Sequence, residues 1–362
     1  MFFVHCSKNK GKNATRRCCS AQNNKSEGCY HGETMKKPRI LITRATFPEV
    51  VQQLEQHFDV HHNQADQAWS AQELQQYAHT CDGILSVPSD AINAALLQAC
   101  PRLRICANNA VGYNNFDLAA MAEHQVLGTN TPDVLSETTA DFGFALLMAT
   151  ARRITEAEHY LRSGQWQRWT YDMLIGQDIF GSTLGIWGMG RIGQAIARRG
   201  AHGFGMRVLY HNRSRLAPSV EQACKAQYVD SQTLLQQADH LVLVLPLTPE
   251  SHHTIGLPQL QHMKKTATLV NIARGGIVDD AALAQALRTG LIAGAGLDVF
   301  EDEPKVHPDL LTLPNVVLTP HIGSASARTR LAMAQLAANN LIAFFEKGQA
   351  LTPVNPEVLE AR

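Results

Sequence analysis

The segment TLGIWGMGRIGQAIARRGAHG, residues 183–203, decides the fold class of this chain. The apolar run TLGIW comes directly before GMGRIG, and a stretch with helical spacing follows. This order predicts a strand, a glycine turn and a helix of the kind that binds dinucleotides. Gly188 permits the tight turn, Gly190 leaves room for a pyrophosphate, and Gly193 lets the helix pack closely on the strand.

The helix after the glycine turn begins at Arg191 and Ile192. Its first turn has free N–H groups and a partial positive charge, both of which favour phosphate binding. The alternative is a tight turn that binds no ligand. The complete strand–loop–helix–strand order favours a bound dinucleotide.

The stretch LYHNRSRL, residues 209–216, indicates which dinucleotide is bound. A carboxylate often stands at the end of this second strand, where it holds the ribose hydroxyls of NAD. Here Asn212 takes that place, and Arg213 and Arg215 follow with Ser214 between them. Because a guanidinium binds a phosphate dianion bidentately, the stretch predicts NADP(H), with NAD(H) as the alternative. Arg213 is the better candidate for the phosphate contact. The alternative, an arginine that is simply solvated in the turn, applies more to Arg215.

Short apolar runs alternate with amphipathic stretches from Pro38 onwards. This alternation predicts an α/β fold with parallel sheets and helices on both faces. We expect one long helix over residues 129–164, a helix capped by Ser89 or Asp90, and a last helix that ends at Gly348 and returns to the first domain. The buried strands of the second half are predicted at residues 207–211, 240–247, 267–273, 292–300 and 315–320.

The bulk composition is that of a globular enzyme. The chain has 362 residues, 45% of them hydrophobic, and a formal net charge of +0. Its length favours two domains, and its charge gives no global attraction for nucleic acid or an anionic membrane. No apolar run approaches the ~20 residues that a membrane helix needs.

Residues 1–34 are polar and lack periodicity, so we expect them to be a disordered leader, with Met35 as the working start. Their cysteines and histidines fit no common zinc-site spacing, and we predict no metal site. The remaining cysteines are scattered among apolar segments, which indicates single buried thiols in a reducing cytoplasm. The leader residues in question are Cys6, Cys18, Cys19 and Cys29 with His5 and His31, and the scattered ones are Cys81, Cys100, Cys106 and Cys224.

Three polar groups follow successive predicted strands. They are Arg274, the acidic run 301–303 and His321. In an open α/β sheet, ligands bind beyond the carboxyl ends of the strands. Together these groups suit a 2-keto acid. The arginine would clamp the substrate carboxylate, and the histidine, paired with an acid, would donate a proton to the keto oxygen. Taken singly, each group has a structural alternative. Arg274 would form a surface salt bridge, residues 301–303 would be only an acidic turn, and His321 would only hydrogen-bond to nearby backbone groups.

The sequence resembles the D-isomer-specific 2-hydroxyacid dehydrogenases, and within them the glyoxylate/hydroxypyruvate reductases, also described as 2-ketogluconate reductases. The resemblance covers about residues 37–356. The segments that carry it are VGYNNFD (111–117), TPDVLSETTAD (131–141), TLGIWGMGRIG (183–193), LPLTPESHH (245–253), VNIARGGIVDDAAL (270–283), GLDVFEDEP (296–304) and TPHIGSA (319–325).

The resemblance implies a role for each of several residues. The catalytic set is Arg274, Glu303 and His321, and the family pattern D-V-F-x-x-E-P selects Glu303 over Glu301. The resemblance places Asp298 near the nicotinamide carboxamide. It also implies that Pro246, Thr248, Ile272 and Ala273 line the cofactor cleft, and that backbone amides at Val87, Val111 and Gly112 face the substrate carboxylate together with Arg274.

The resemblance further implies two doubly wound Rossmann-like domains with the active site in the cleft between them. The NADP-binding domain would span 131–319, and the flavodoxin-like substrate domain 36–130 plus 320–356. We expect a homodimer that reduces small 2-keto acids with NADPH, namely glyoxylate, hydroxypyruvate or 2-ketogluconate. Two alternatives stay open: an NAD-dependent enzyme for a bulkier acid, and a nucleotide-sensing scaffold like the corepressors of the family.

Overall fold

The computed structural model describes residues 36–360. The predicted disordered leader and its zinc-cluster candidates lie outside these residues. The described chain contains two wholly parallel sheets, one of five strands and one of seven, so the predicted α/β class is confirmed. The predicted domain boundaries stay a prediction. Among residues 36–360, no helix is both long enough and apolar enough to span a bilayer.

The five-stranded sheet has the strand order β2-β1-β3-β4-β5. Its elements are β1 Arg39–Ile42, α1 Pro48–His57, β2 Asp59–His62, α2 Ala71–Ala78, β3 Gly83–Ser86, α3 Ala94–Ala99, β4 Ile105–Asn108, α4 Leu118–Glu123 and β5 Leu127–Thr129. The apolar residues of β1 and β4 are fully buried, as expected for strands covered on both faces.

The seven-stranded sheet has the order β12-β11-β10-β9-β6-β7-β8. Its elements are α5 Ser136–Ala151, α6 Ile154–Arg162, β6 Thr183–Trp187, α7 Arg191–Arg198, β7 Arg207–His211, α8 Pro218–Cys224, β8 Ala226–Tyr228, α9 Ser231–Gln237, β9 His240–Leu243, α10 Leu257–His262, β10 Thr268–Asn271, α11 Asp280–Arg288, β11 Gly294–Leu297 and β12 Val316–Leu318. A π-helical turn, Arg199–Gly203, extends α7, and a 3₁₀ turn, Leu310–Thr312, precedes β12. The strand order reverses at β6, which is where ligands bind in such sheets.

The last long helix returns to the first sheet, as predicted. Helix α12, Ala327–Lys347, packs against β3, β4 and α1, and a short helix α13, Glu357–Glu360, follows it. Ser326 caps α12, since its hydroxyl accepts a hydrogen bond from the N–H of Thr329 at 3.2 Å. The chain therefore crosses from the seven-stranded sheet back to the five-stranded one immediately after β12.

The single helix predicted over 129–164 is wrong, because two helices occupy that stretch. Arg153 adopts a left-handed backbone conformation (φ 52°) between α5 and α6. The N–H of Gln177 donates to the carbonyl of Ala151 at 2.8 Å, which ends α5. A Cβ on Gly176 would lie 2.5 Å from that carbonyl oxygen, so only glycine lets the chain cross there. No residue at the break itself signals it in the sequence.

The cap predicted at Ser89 or Asp90 is also wrong. Helix α3 begins at Ala94, and Asn93 caps it by accepting from the N–H of Leu96 at 3.1 Å. Asp90 instead accepts the hydroxyl of Thr43 at 2.6 Å and the N–H of Val87 at 2.9 Å. Its carboxylate closes the loop after β3 and is not available to a helix.

Two strands are shorter than their apolar runs: β9 ends at Leu243, and β11 covers only Gly294–Leu297. The apolar residues beyond these ends enter the connecting segments. The four described cysteines, which are Cys81, Cys100, Cys106 and Cys224, are buried and unpaired, so the prediction of single buried thiols is confirmed.

Candidate active site

The three predicted catalytic residues follow three adjacent strands. Strands β10, β11 and β12 are neighbours in the sheet, and Arg274, Glu303 and His321 lie in the segments after them. Because parallel strands end at one edge of the sheet, these segments lie side by side. Arg274 and Glu303 line the same cavity, of about 560 Å³.

His321 and Glu303 form a direct pair. The imidazole Nδ1 lies 2.8 Å from Glu303 Oε2, and Glu303 Oε1 accepts the N–H of Phe300 at 3.0 Å. Burial raises the pKa of Glu303, but the hydrogen bond and charge of His321, with smaller effects from Phe300 and Arg274, outweigh it and lower the pKa below its usual value. Glu303 therefore stays ionised, fixes the orientation of the ring and favours a proton on Nδ1. No described residue hydrogen-bonds to Nε2.

Asp298 anchors the loop that carries His321. Its Oδ1 accepts from the Thr319 hydroxyl at 2.7 Å and the Ile322 N–H at 2.9 Å, while Oδ2 accepts the Gly323 N–H at 2.8 Å. The side chain is buried, and this burial raises its pKa despite the three hydrogen bonds. Between these anchor points His321 adopts a left-handed conformation (φ 53°). The predicted contact of Asp298 with the nicotinamide stays a prediction.

Arg274 leaves β10 on a turn that Asn271 closes. The Asn271 side chain donates to the carbonyl of Arg274 at 3.1 Å and accepts the N–H of Ala273 at 3.0 Å. Gly275 then packs directly on the segment after β11, since a Cβ there would lie 1.6 Å from the carbonyl oxygen of Phe300. The turn with Arg274 and the segment with Glu303 are thus held in contact.

Asn114 and Gly112 of the five-stranded half, together with the neighbouring Ala273, fix the guanidinium of Arg274. Asn114 Oδ1 accepts from Nε at 3.1 Å, and the carbonyl of Ala273 accepts from Nη1 at 2.6 Å. A Cβ on Gly112 would lie only 1.7 Å from Nη2, so the guanidinium rests against the glycine backbone. Burial lowers the pKa of Arg274, and Glu303 opposes this. Sequence reasoning missed Asn114, although VGYNNFD had been singled out as a whole.

The glycine turn has the shape that a dinucleotide requires. Gly188 is left-handed (φ 101°), and a Cβ there would lie 2.6 Å from the Val244 carbonyl. A Cβ on Gly193 would lie 2.5 Å from the oxygen of Gly188, whereas Gly190 faces open space. No side chain caps α7, so the N–H groups of its first turn remain available to a phosphate. The residues present therefore fit a dinucleotide pyrophosphate.

In the turn after β7, the two candidate arginines have different contacts. Arg215 donates to both Glu221 oxygens, at 2.9 and 2.8 Å, and Tyr210 donates to Glu221 at 2.7 Å. The Arg215 and Tyr210 hydrogen bonds lower the pKa of Glu221 to about 2, although burial opposes them. Arg213 and Ser214 are exposed. A hydrogen bond from Thr248 is the main effect that lowers the pKa of Glu250, and the positive charge of Arg213 adds to it.

The remaining cofactor candidates surround this cleft. Arg191 forms an exposed ion pair with Asp133 at 2.7 Å. Ser251 binds the loop after β9, since its hydroxyl donates to the carbonyl of Pro246 at 2.8 Å and accepts the N–H of Thr248 at 2.7 Å. Ile192 packs on the core of the seven-stranded sheet, and Ile272 and Ala273 are buried in the cores that flank this sheet.

Of the backbone amides predicted to face the substrate, that of Val87 is occupied, whereas at Val111 and Gly112 the hydrogen bonds involve the carbonyl groups. The N–H of Val87 donates to Asp90, the carbonyl of Val111 accepts from Asn130 at 2.8 Å, and the carbonyl of Gly112 accepts from Asn108 at 2.9 Å. Gly112 nevertheless contacts the Arg274 guanidinium. The predicted roles of these backbone groups stay predictions.

Comparisons with known proteins show which family this chain resembles. The family model for D-isomer specific 2-hydroxyacid dehydrogenase, NAD binding domain, matches residues 144–323. A glyoxylate reductase from Thermococcus onnurineus is 48% identical over 330 residues, which are 90% of this chain and 98% of that protein.

Two solved structures are also similar. An NADPH-dependent glyoxylate/hydroxypyruvate reductase from Sinorhizobium meliloti, in complex with NADP and malonate, has a TM-score of 0.79 at 38% identity and covers 88% of this chain and 97% of that one. The holo form of D-mandelate dehydrogenase from Rhodotorula graminis has a TM-score of 0.79 at 26% identity, over 88% of this chain and 98% of that one.

Proposed function

This chain belongs to the D-isomer-specific 2-hydroxyacid dehydrogenases, an NAD(P)-dependent oxidoreductase family, and we propose that it reduces glyoxylate and hydroxypyruvate with NADPH. 2-Ketogluconate is a third candidate substrate. The observation that carries the proposal is the contact of His321 with Glu303, 2.8 Å apart, beside the cavity that Arg274 lines.

The side chains divide the chemistry between them. Arg274 binds the substrate carboxylate and polarises the keto oxygen, because its guanidinium is held at the cavity wall by Asn114 and Ala273. The glycine turn and the first turn of α7 would hold the dinucleotide, which would supply the hydride for C2. His321 gives the proton from Nε2 to the keto oxygen, so that the C=O double bond becomes C–H and O–H. Glu303 stabilises the imidazolium before that transfer.

The experiment is a rate measurement of reduced-cofactor oxidation with a panel of keto acids. We expect glyoxylate and hydroxypyruvate to give the highest kcat/KM, with 2-ketogluconate lower. The same panel is run with NADPH and with NADH. Failure of every 2-keto acid with both cofactors would favour the nucleotide-sensing scaffold instead.

We propose NADPH as the preferred cofactor because Asn212 replaces the expected carboxylate and Arg213 is exposed beside it. The exposed hydroxyl of Ser214 offers a further donor. Arg215 is committed to Glu221 and contributes less. Arg213→Ala is expected to lower the NADPH-over-NADH preference by about 10- to 100-fold, the cost of a charged hydrogen bond. Arg288→Ala removes another exposed arginine and should leave the preference unchanged; an equal effect would refute the assignment.

A bulkier 2-keto acid is a second candidate substrate. The cavity of about 560 Å³ includes the apolar side chains of Leu247 and Phe300, and the structural similarity extends to D-mandelate dehydrogenase. Phenylglyoxylate tests this possibility directly. A higher kcat/KM for phenylglyoxylate than for glyoxylate would make the bulkier acid the better assignment.

We also propose that the chain forms a homodimer through the apolar surface of residues 154–180. The exposed fractions there are large: 52% for Trp166, 69% for Trp169, 89% for Tyr171 and 80% for Phe180. A second copy would bury this surface, which is unusual for a free monomer. Sedimentation should show a dimer for the wild type and a monomer for the double variant Trp169→Lys, Phe180→Lys. Leu311→Lys alters an apolar residue that is 63% exposed outside this segment, and the dimer should persist.

We further propose a cytoplasmic location. The four described cysteines are unpaired, as is usual in a reducing compartment. Cell fractionation with detection of the full chain tests the location, and recovery with an organelle or in the medium would contradict it.

A further inference from the structure

Two histidines and a glutamate meet at the rim of the substrate cavity, outside the proposed reaction set. His253 Nε2 lies 2.8 Å from Glu301 Oε1, and His252 Nε2 lies 3.5 Å from the same oxygen. The two imidazole rings stack with centroids 3.9 Å apart and planes 22° apart. Both Nε2 atoms therefore face one carboxylate, and we propose that these side chains form a binding site for a divalent cation of the zinc class.

The distances suit a tetrahedral ion. Ligand atoms about 2.1 Å from zinc lie about 3.4 Å from one another in a tetrahedron. The observed separations of 2.8 and 3.5 Å fall on either side of that value, and all three ligand atoms lie within 4.8 Å of one another. The stacked rings would also have to rotate apart so that both Nε2 lone pairs point at one ion, and side chains as exposed as these can do so. Two imidazoles and one carboxylate are a zinc donor set, and a water molecule can take the fourth position.

The backbone holds these ligands in place before any ion binds. His253 is left-handed (φ 50°), and its N–H donates to the carbonyl of Gly276 at 2.7 Å. The N–H of Glu301 donates to the buried Asp280 at 3.3 Å. The three side chains are 52%, 36% and 37% exposed for His252, His253 and Glu301, so an ion can reach them from solvent.

The surrounding charges favour a cation. Asp280 contacts Glu301, and Asp302 and Glu303 follow in the same segment, which places several carboxylates close together. Lys305 lies in the same segment and opposes them only in part. An ion here would tie the loop after β9 to the segment that carries Glu303. We therefore expect that bound zinc also slows the reductase, because it would fix the segment that carries Glu303.

Cobalt titration of the full chain tests the site without using the reaction. We expect Co²⁺ to give weak visible bands of nitrogen and oxygen coordination, and His252→Ala and His253→Ala to weaken that binding by at least about tenfold. His62→Ala removes an exposed histidine from β2 and should change nothing. Thiolate coordination by the cysteines of residues 1–34 would appear separately, as intense near-ultraviolet charge-transfer absorption.

Two outcomes decide the proposal. Loss of the visible bands in both histidine variants but not in His62→Ala supports it. Equal cobalt binding by the wild type and His252→Ala overturns it. Basal activity without metal should be unchanged in His252→Ala, and an inactive wild type would refute the proposed function but not the cation site.

Discussion

At the scale of single residues, the site depends on side chains that position other side chains. His321 is oriented by Glu303 on one side and by a loop that Asp298 anchors on the other. The sequence pattern predicted the polar groups after β10, β11 and β12, because parallel strands end at one edge of a sheet. It could not predict that Asp298 accepts two backbone N–H groups directly after His321, since that contact depends on how the loop folds.

Asp298→Asn should therefore impair turnover while leaving most of the fold intact. An amide has one acceptor oxygen, so its NH₂ group would face the N–H of Ile322 or Gly323 and displace the loop. A misplacement of about 1 Å can cost about 100-fold in rate. Steady-state kinetics should show a lower kcat with KM for the keto acid changed much less, and a fall confined to KM would contradict the positioning role.

Gly112→Ala should displace Arg274, because the added methyl would lie 1.7 Å from Nη2. We expect a rise of about tenfold or more in KM for the keto acid, with NADPH binding unchanged. Gly203→Ala is the matched control, since nothing lies within 4 Å of a Cβ there. Equal KM values for the two variants would show that Gly112 does not support the substrate cleft.

At the scale of elements, the strand–turn–helix of residues 183–203 was predicted correctly, because the tight turn at Gly188 and the packing of Gly193 against it involve residues that are close to each other in sequence. The break between α5 and α6 was not, because the group that ends α5 is Gln177, more than twenty residues away in sequence. The role of Arg215 was left open for a similar reason: only the folded turn brings Tyr210, Arg215 and Glu221 together.

The Glu221 pair gives the turn after β7 a pH-dependent stability. The pKa of Glu221 falls from its ordinary value of 4.5 to about 2, so the pair stabilises the fold above pH 4.5 and this contribution is lost as the pH falls towards 2. Glu221→Gln should lower Tm at about pH 7, and the Tm difference from wild type should shrink below about pH 4.

The control for that experiment is Glu123→Gln, which alters an exposed carboxylate on α4. Its Tm should follow the wild type at every pH. A constant Tm difference for Glu221→Gln between neutral and acid pH would show that ionisation of Glu221 does not stabilise the turn.

At the scale of the whole molecule, the alternation of strands and helices predicted the α/β class and the return of α12. It did not predict that Arg274 would be held by Asn114 and Gly112, from the other sheet's half of the chain. That contact joins the two sheets at the site. The substrate carboxylate is expected to bind where both halves contribute to the cavity wall.

Cofactor binding should stabilise the whole described fold by mass action. A ligand that binds only the native state contributes about 2.7 kcal/mol at a hundred times its Kd. Thermal melts with equal concentrations of NADPH and NADH should give the larger rise in Tm with NADPH. The opposite order would favour an NAD-dependent enzyme and remove the proposed role of Arg213.

The central claim is that His321, oriented by Glu303, gives the proton in 2-keto acid reduction. The most direct measurement is the rate of glyoxylate-dependent NADPH oxidation by His321→Gln, with NADPH affinity measured by fluorescence on the same sample. We predict that kcat falls by about 10²- to 10⁴-fold while the Kd for NADPH stays within a factor of about two. A His321→Gln enzyme that turns over at the wild-type rate would contradict the claim.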